Sequence, residues 1–322
     1  MRIGRAAVVT DTGKRRLGNE DAYVFEPPLF AIADGMGGAR AGEIAADLAA
    51  SALEEASAQT RDATQLSAII AEANRRVWER SRADPATAGM GTTVTIALVD
   101  APAGTISFGH VGDSRAYRLR DGALEQVTTD HSLVAELVES GVLTPEEAER
   151  HPQRSAITKA VGTEPSVDAD VFTRDTLPGD LFLLCSDGLS DMLSEEEIAS
   201  AIEGADRDPE AAGDALVAAA NARGGEDNIT VVLFEIVDGD AAEPHPEQDR
   251  GIGATTVPPA TGEPTDKDER AEASEPAAAA TPGAAEPEPI RHGAGAGGRI
   301  AALALVVSVL AIGLLVLYLA VR

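Results

Sequence analysis

The sequence predicts an α+β fold in which antiparallel β-sheets carry pairs of α-helices on their outer faces. Two observations carry that reading. Apolar, β-prone runs follow one another across short turns, and helical stretches arrive in pairs rather than singly between strands. A doubly wound parallel sheet would need one crossover helix per strand, so the pattern excludes it. A third observation sets the limits: the alternation of strand and helix patterns ends near residue 238.

Taken in order, Ala6 to Thr10 is strand-like, and Leu29 to Ala33 is a short buried strand ending at Asp34. After a Gly-Gly turn, Glu43 to Ala58 places Ile44, Leu48 and Leu53 on a helical period. Ala63 to Arg82 continues it with Leu66, Ile69, Ile70, Val77 and Trp78, so two long helices are expected in succession. Strand patterns follow at Thr92 to Val99, Thr105 to Gly109 and Ser114 to Leu119, and Asp121-Gly122 supplies a hairpin turn before Leu124 to Val127. Helical stretches around Leu133 to Ser140 and from Pro145 form an insertion over one face. Strands at Val167 to Arg174 and Asp180 to Cys185 precede helices near Ser194 to Ile202 and Pro209 to Asn221. Asn228 to Val237 closes the region as a strongly apolar strand.

Beyond it the composition changes. Gly239 to Arg299 is rich in Ala, Pro, Glu and Gly with almost no large apolar residues, which predicts a disordered acidic linker. Ile300 to Val321 is uncharged and apolar, long enough to span about 30 Å of hydrocarbon as a transmembrane helix. Arg299 and Arg322 bracket it, and Tyr318 suits an interfacial aromatic. The N-terminus, Met1 to Arg5 followed by the Ala6 strand, lacks a secretory apolar core, so the expected arrangement is a cytoplasmic domain on a single-pass anchor in the cell membrane.

A formal net charge of -28 over 322 residues argues against a nucleic-acid partner, which would require clustered Lys and Arg. One cysteine, Cys185, excludes an internal disulfide and a Cys-based zinc site, and its position after Leu181-Phe182-Leu183-Leu184 reads as a buried strand residue. The five His have no ligand-like spacing, which leaves carboxylates as metal ligands.

Four separated segments each place an aspartate on a turn with glycine beside or near it: Ala33-Asp34-Gly35-Met36-Gly37-Gly38, Gly112-Asp113-Ser114-Arg115, Ser186-Asp187-Gly188 and Gly225-Glu226-Asp227-Asn228. Each alone is better explained as a turn former or helix cap. Together, at strand ends, they can converge on oxygen-only ligation of Mg²⁺ or Mn²⁺. Two such ions would activate a water and clamp a phosphoryl group. The residues by themselves reach no further than a possible binuclear hydrolase.

The ordered set Arg16-Leu17-Gly18-Asn19-Glu20-Asp21, Ala33 to Gly38, Gly91-Thr92-Thr93, Gly112 to Tyr117, Ser186-Asp187-Gly188 and Asp227-Asn228 resembles the motifs of PP2C-type (PPM) metal-dependent Ser/Thr protein phosphatases. It is most similar to the bacterial Stp/PstP-like branch, over residues 1–238. The resemblance implies a central sandwich of two antiparallel sheets flanked by helix pairs, and two or three Mn²⁺ or Mg²⁺ ions. Asp34 would bridge two metals, Gly35 would offer its carbonyl to one, and Asp187 and Asp227 would complete the other shell. Asp113, with Asp187, matches a third-metal site. Arg16 would bind the substrate phosphate with its planar fork, while Glu20 and Asp21 would hydrogen-bond metal waters and Asn228 would orient the Asp227 turn.

The implied reaction is direct attack of a metal-activated water on a phosphoserine or phosphothreonine phosphorus, without a covalent phosphoenzyme. Met36 stands where eukaryotic members often carry His, so the role of general acid is unassigned. Asp130 to Gly162 resembles the family's mobile flap, and His131 at its base reads as a loop-structuring residue rather than a proton donor. The expected partners are phosphorylated proteins, membrane Ser/Thr kinases and their substrates among them, with the chain a monomer. A sporulation- or stress-type phosphatase acting on one anti-sigma antagonist is the alternative enzyme. A pseudophosphatase is the alternative outside catalysis; the intact metal-ligand positions count against it.

Overall fold

The computed structural model describes residues 1–37, 41–60, 63–148 and 150–239. The linker beyond Gly239, the span at 300–321 and Gly38 of the Ala33–Gly38 motif therefore lie outside the described residues. Among the described residues, no helix is long and apolar enough to cross a membrane.

Two antiparallel sheets stack face to face. One is built from β1 (Arg2–Asp11), β7 (Arg115–Arg120), β8 (Ala123–Gln126), β10 (Leu181–Cys185) and β11 (Ile229–Val237), in the order β1-β11-β10-β7-β8. The other runs β2-β3-β5-β6-β9, from β2 (Asp21–Glu26), β3 (Leu29–Met36), β5 (Val94–Asp100), β6 (Thr105–Val111) and β9 (Asp170–Asp175). A two-residue strand β4 (Gly91–Thr92) pairs with the end of β3. Helices α1 (Ala41–Ser57) and α2 (Ala63–Ala83) cover the second sheet. Two short helices, α3 (Leu133–Glu139) and α4 (Pro145–Ala148), sit in the insertion, and α5 (Asp187–Ser190) directly follows β10. Helices α6 (Glu195–Gly204) and α7 (Pro209–Ala222) cover the first sheet.

The alternation of side chains along each strand explains these layers. On β3, Leu29, Ala31 and Ala33 face α1 and α2, while Phe30 and Ile32 face the opposite sheet. On β10, Leu181, Leu183 and Cys185 face the helices, while Phe182 and Leu184 face inward. Phe30 stacks on Phe234 of β11 at 4.3 Å, and Phe234 on Phe182 at 5.4 Å. Burying each ring stabilises by roughly 1.5–3 kcal/mol. The sandwich is thus cemented by an aromatic layer whose residues follow a period of two, as strands buried on both faces require.

Most predicted elements match within a few residues. Strand β2 is not anticipated from the pattern at 21–26, because Asp21 and Glu26 flank a short run that ends in Pro27-Pro28. The strand predicted from Thr92 divides at Thr93, and β9 begins at Asp170 rather than Val167. The first aspartate departs from its turn assignment. Asp34 lies inside β3, paired with Asp21 of β2, because the strand continues through Gly35 and Met36 by pairing with β4. Asp187 is likewise not in a loop but opens α5.

Candidate metal and phosphate site

The inward face of the sandwich turns polar at one end. Continuing the alternation past the aromatic layer, β1 places Thr10 there, β2 Asp21, β3 Asp34, β11 Thr230, and the residue after β10 is Ser186. Thr230 and Ser186 donate hydroxyl hydrogen bonds to the same Asp21 oxygen at 2.6 and 2.9 Å. Thr93 accepts from the Asp34 amide at 3.0 Å and pairs with Ser114 Oγ at 2.7 Å. Asp21 and Asp34 are cross-strand partners, an arrangement in which like charges destabilise a bare sheet.

Two loops and one helix start bring further carboxylates to this end. Asp113 follows the turn after β6, Asp187 starts α5, and Asp227 lies just before β11. Burial raises the Asp34 pKa well above the ordinary 3.8, and the charges of Asp21, Asp187, Asp113 and Asp227 raise it further. Asp187 is pushed well up by burial and then by Asp113, Asp191, Asp227 and Asp21. Burial lifts Asp113 to about 7, aided by Asp130 and Asp191. Burial lifts Asp21 to about 6, in spite of its two hydroxyl donors. Asp34 and Asp187 each feel most of the other carboxylates, so these aspartates form one electrostatic cluster.

That cluster meets a test for divalent cations. One oxygen of Asp21 and one of Asp113 are buried without a hydrogen-bond partner. Buried carboxylate oxygens without a donor are costly unless a cation satisfies them. An all-oxygen donor set fits Mg²⁺ or Mn²⁺ rather than softer metals. Among the described residues, no three acidic, His or Cys side chains stand close enough to enclose an ion as they are placed. Asp227 is turned toward Arg16.

Arg16 sits on the loop between β1 and β2, and its Nη2 contacts Asp227 Oδ2 at 2.5 Å. Asn228 holds that loop in place. Its amide donates to the carbonyls of Thr12 and Gly18, both at 2.9 Å, and its Oδ1 accepts from the Glu20 amide at 2.8 Å. The Asn228 backbone amide also donates to Asp227 Oδ1 at 2.8 Å. One buried residue, through its side chain and its own amide, therefore ties the Arg16 loop, Glu20 and Asp227 together. Glu20 also accepts from Gly35 N at 3.1 Å through its carbonyl. A Cβ at Gly35 would lie 2.2 Å from the Gly42 carbonyl oxygen, so only glycine lets β3 pass this close to α1.

The structure thus gathers Asp34, Asp113, Asp187 and Asp227 with Asp21, and sets Arg16, Glu20, Gly35 and Asn228 at their edge. Cys185 is buried, its thiol raised to about 12 by desolvation, so it is no nucleophile. Sequence reading misses Asp191, which perturbs both Asp113 and Asp187. Its signal is the i, i+4 spacing from Asp187, which puts both on one face of a helical turn. A cleft of about 940 Å³ leads away from Asp113 and Asp187 between the insertion and the start of α6. Arg154 and Ser155 of the insertion reach Asp191 across it, at 3.5 and 3.2 Å.

Residues 16–230 match the family described as protein phosphatase 2C. The serine/threonine protein phosphatase PstP of Mycobacterium tuberculosis is 40% identical over 247 residues, covering 75% of this chain and 47% of PstP. The chain thus spans about half the length of that relative. The serine/threonine phosphatase stp of Listeria monocytogenes is 38% identical over 238 residues, covering 70% of this chain and 93% of stp. The solved catalytic domain of PstP in complex with two manganese ions superposes with a TM-score of 0.67 at 36% identity, over 73% of this chain and 99% of that one. On this match and on the sandwich that carries it, the chain belongs to the protein phosphatase 2C family.

Proposed function

We propose that the chain is a metal-dependent phosphatase acting on phosphoserine and phosphothreonine in proteins. The observation that carries the reading is the buried aspartate cluster beside Arg16, in a family one of whose solved relatives binds two manganese ions. Asp34, Asp187 and Asp227, with the Gly35 carbonyl, would hold two ions; Asp113 with Asp187 would hold a third. Mn²⁺ or Mg²⁺ bound there supplies a water of lowered pKa and neutralises phosphoryl charge. Arg16 binds the phosphate: its planar fork has five N–H donors and spends one on Asp227. Asn228 keeps that fork aimed at the carboxylate cluster, while Asp21, fixed by Ser186 and Thr230, keeps its second oxygen directed into the site.

The substrates fit a membrane setting. The apolar stretch 300–321 would anchor the domain, and a linker of about 60 residues reaches tens of ångströms on average. Such a tether raises the effective concentration of phosphorylated juxtamembrane segments, those of Ser/Thr kinases included. A Mn²⁺-dependent assay on phosphothreonine peptides tests the activity. Hydrolysis should require divalent metal and fall about a thousandfold in both Asp34→Asn and Asp187→Asn. Activity that persists in either variant, or without divalent metal, rejects the mechanism.

A further inference from the structure

His131 stands at the base of the insertion, seven per cent exposed, and is not among the metal- or phosphate-binding groups described above. Its backbone amide donates to the Gly112 carbonyl at 2.7 Å, and its ring Nδ1 accepts from the Gly112 amide at 3.1 Å. Both polar backbone atoms of the residue preceding Asp113 are thus held by one side chain and its own main chain. An acceptor at Nδ1 fixes the tautomer: the ring is neutral and its proton is on Nε2, which lies 3.3 Å from Asp170 but outside hydrogen-bond alignment. The ring packs against His110 at 5.0 Å, and His110 is itself pinned by Thr95 and the Thr129 carbonyl at 3.0 and 3.1 Å.

Gly112 has no room for a side chain. Its φ is +112°, and a Cβ there would lie 2.5 Å from Thr93 Cγ2. Held between Thr93 and His131, the turn aims Asp113 so that one carboxylate oxygen is buried with no donor. The returning arm of the insertion reaches the same residue. The Thr158 amide donates to the His131 carbonyl at 2.8 Å, and Ser132 bridges Ile157. Both ends of the insertion therefore meet at the residue that grips Gly112.

We propose that His131 is a positioning residue: it clamps the Gly112–Asp113 turn and so couples the base of the insertion to the cation position at Asp113. This rests on the metal-dependent reading above for the cation, and on hydrogen-bond geometry alone for the clamp. Its chemistry dictates the variants. An Asn side chain places an amide oxygen close to where Nδ1 sits and keeps the acceptor; Gln reaches past it and does not.

Two measurements on the full chain decide the matter. Amide hydrogen exchange at Gly112, read by NMR without metal, should quicken about fivefold or more in His131→Gln and stay within about twofold of wild type in His131→Asn. Equilibrium dialysis with Mn²⁺ should show the binding class lost in Asp113→Asn weakened about tenfold by His131→Gln and restored by His131→Asn. Unchanged Gly112 exchange in His131→Gln overturns the clamp. Quickened exchange with unchanged Mn²⁺ affinity overturns the coupling. A wild-type chain with no Asp113-dependent binding class overturns the third-cation assignment, and the metal-free exchange comparison still decides the clamp.

Discussion

Strand β10 has an aspartate at each end, and the two are in opposite physical states. Asp180 precedes it, one per cent exposed, with Arg120 Nε and Nη2 each at 2.6 Å and the Thr176 hydroxyl and Leu177 amide both at 2.9 Å. Burial works against its charge, but these four donors outweigh it and hold its pKa below 3.8. Asp187 lies two residues past the other end of the strand, where burial drives its pKa far upward and the charges of Asp113, Asp191, Asp227 and Asp21 add to the rise. The protein brings its own cation to one end of the sandwich and leaves the other end short of positive charge. A buried carboxylate alone therefore says little; the sign of its surroundings separates a structural anion from one arranged for an external cation.

Exchanging charge for amide at the two ends should sharpen this contrast most. In Asp187→Asn the metal-free chain should be as stable as wild type or about 2–4 °C higher in Tm, because like-charge repulsion is relieved. The same variant should lose the rise in Tm that Mn²⁺ gives the wild type by binding the folded state. Asp180→Asn should do the reverse: a metal-free chain destabilised by about 1–3 kcal/mol, with the rise on adding Mn²⁺ intact. Thermal melts with and without Mn²⁺ read all four values. Equal destabilisation of the metal-free chain by both substitutions would break the comparison.

A smaller effect concerns Asn228, a neutral group at the cation-poor end whose polar atoms are all satisfied. Its hydrogen bonds run to the Arg16 loop and to Asp227, so the site end is short of cations and not of hydrogen bonds. Asn228→Ala should free the loop and raise KM for phosphopeptide about tenfold, with kcat changed less. Steady-state kinetics at saturating Mn²⁺ check it. A fall in kcat at constant KM would place Asn228 with the chemistry instead of with Arg16.

Much of this was legible in the chain before its structure. Asp34, Asp113, Asp187 and Asp227 stand out because an acid on a turn with glycine beside or near it, next to an apolar run, is a local signal. The helix pairs are legible because Ile44, Leu48 and Leu53 keep a helical period. What the local pattern could not carry is pairing. Asp34 reads as a turn residue until Gly91 and Thr92 add a strand to Gly35 and Met36. The hydroxyls that frame the acids, Thr10, Thr93, Ser186 and Thr230, look like ordinary strand residues and gain meaning only when the two sheets bring them to one end. The clamp at His131 joins residues nineteen positions apart through a backbone carbonyl and a ring nitrogen, and no sequence spacing announces that.

The smallest predicted effect is the pH dependence of the self-neutralised end. The folded Asp180 carboxyl has a pKa below its ordinary 3.8, so it binds a proton less readily folded than unfolded. Its contribution to stability is therefore complete above that ordinary value and disappears as pH falls through the lower folded value. The gap in unfolding free energy between wild type and Asp180→Asn should hold steady from pH 7 to about 5 and close below about pH 3. Urea melts of the metal-free chain across that range measure it. Metal-free samples matter because the acids at the other end of β10 would otherwise contribute a metal-linked pH dependence of their own. A gap that persists at low pH would mean that Asp180 stabilises through shape and hydrogen bonding to Thr176 and Leu177, with the Arg120 charge contributing nothing. The contrast between the two ends of the strand would then be one of packing rather than of charge.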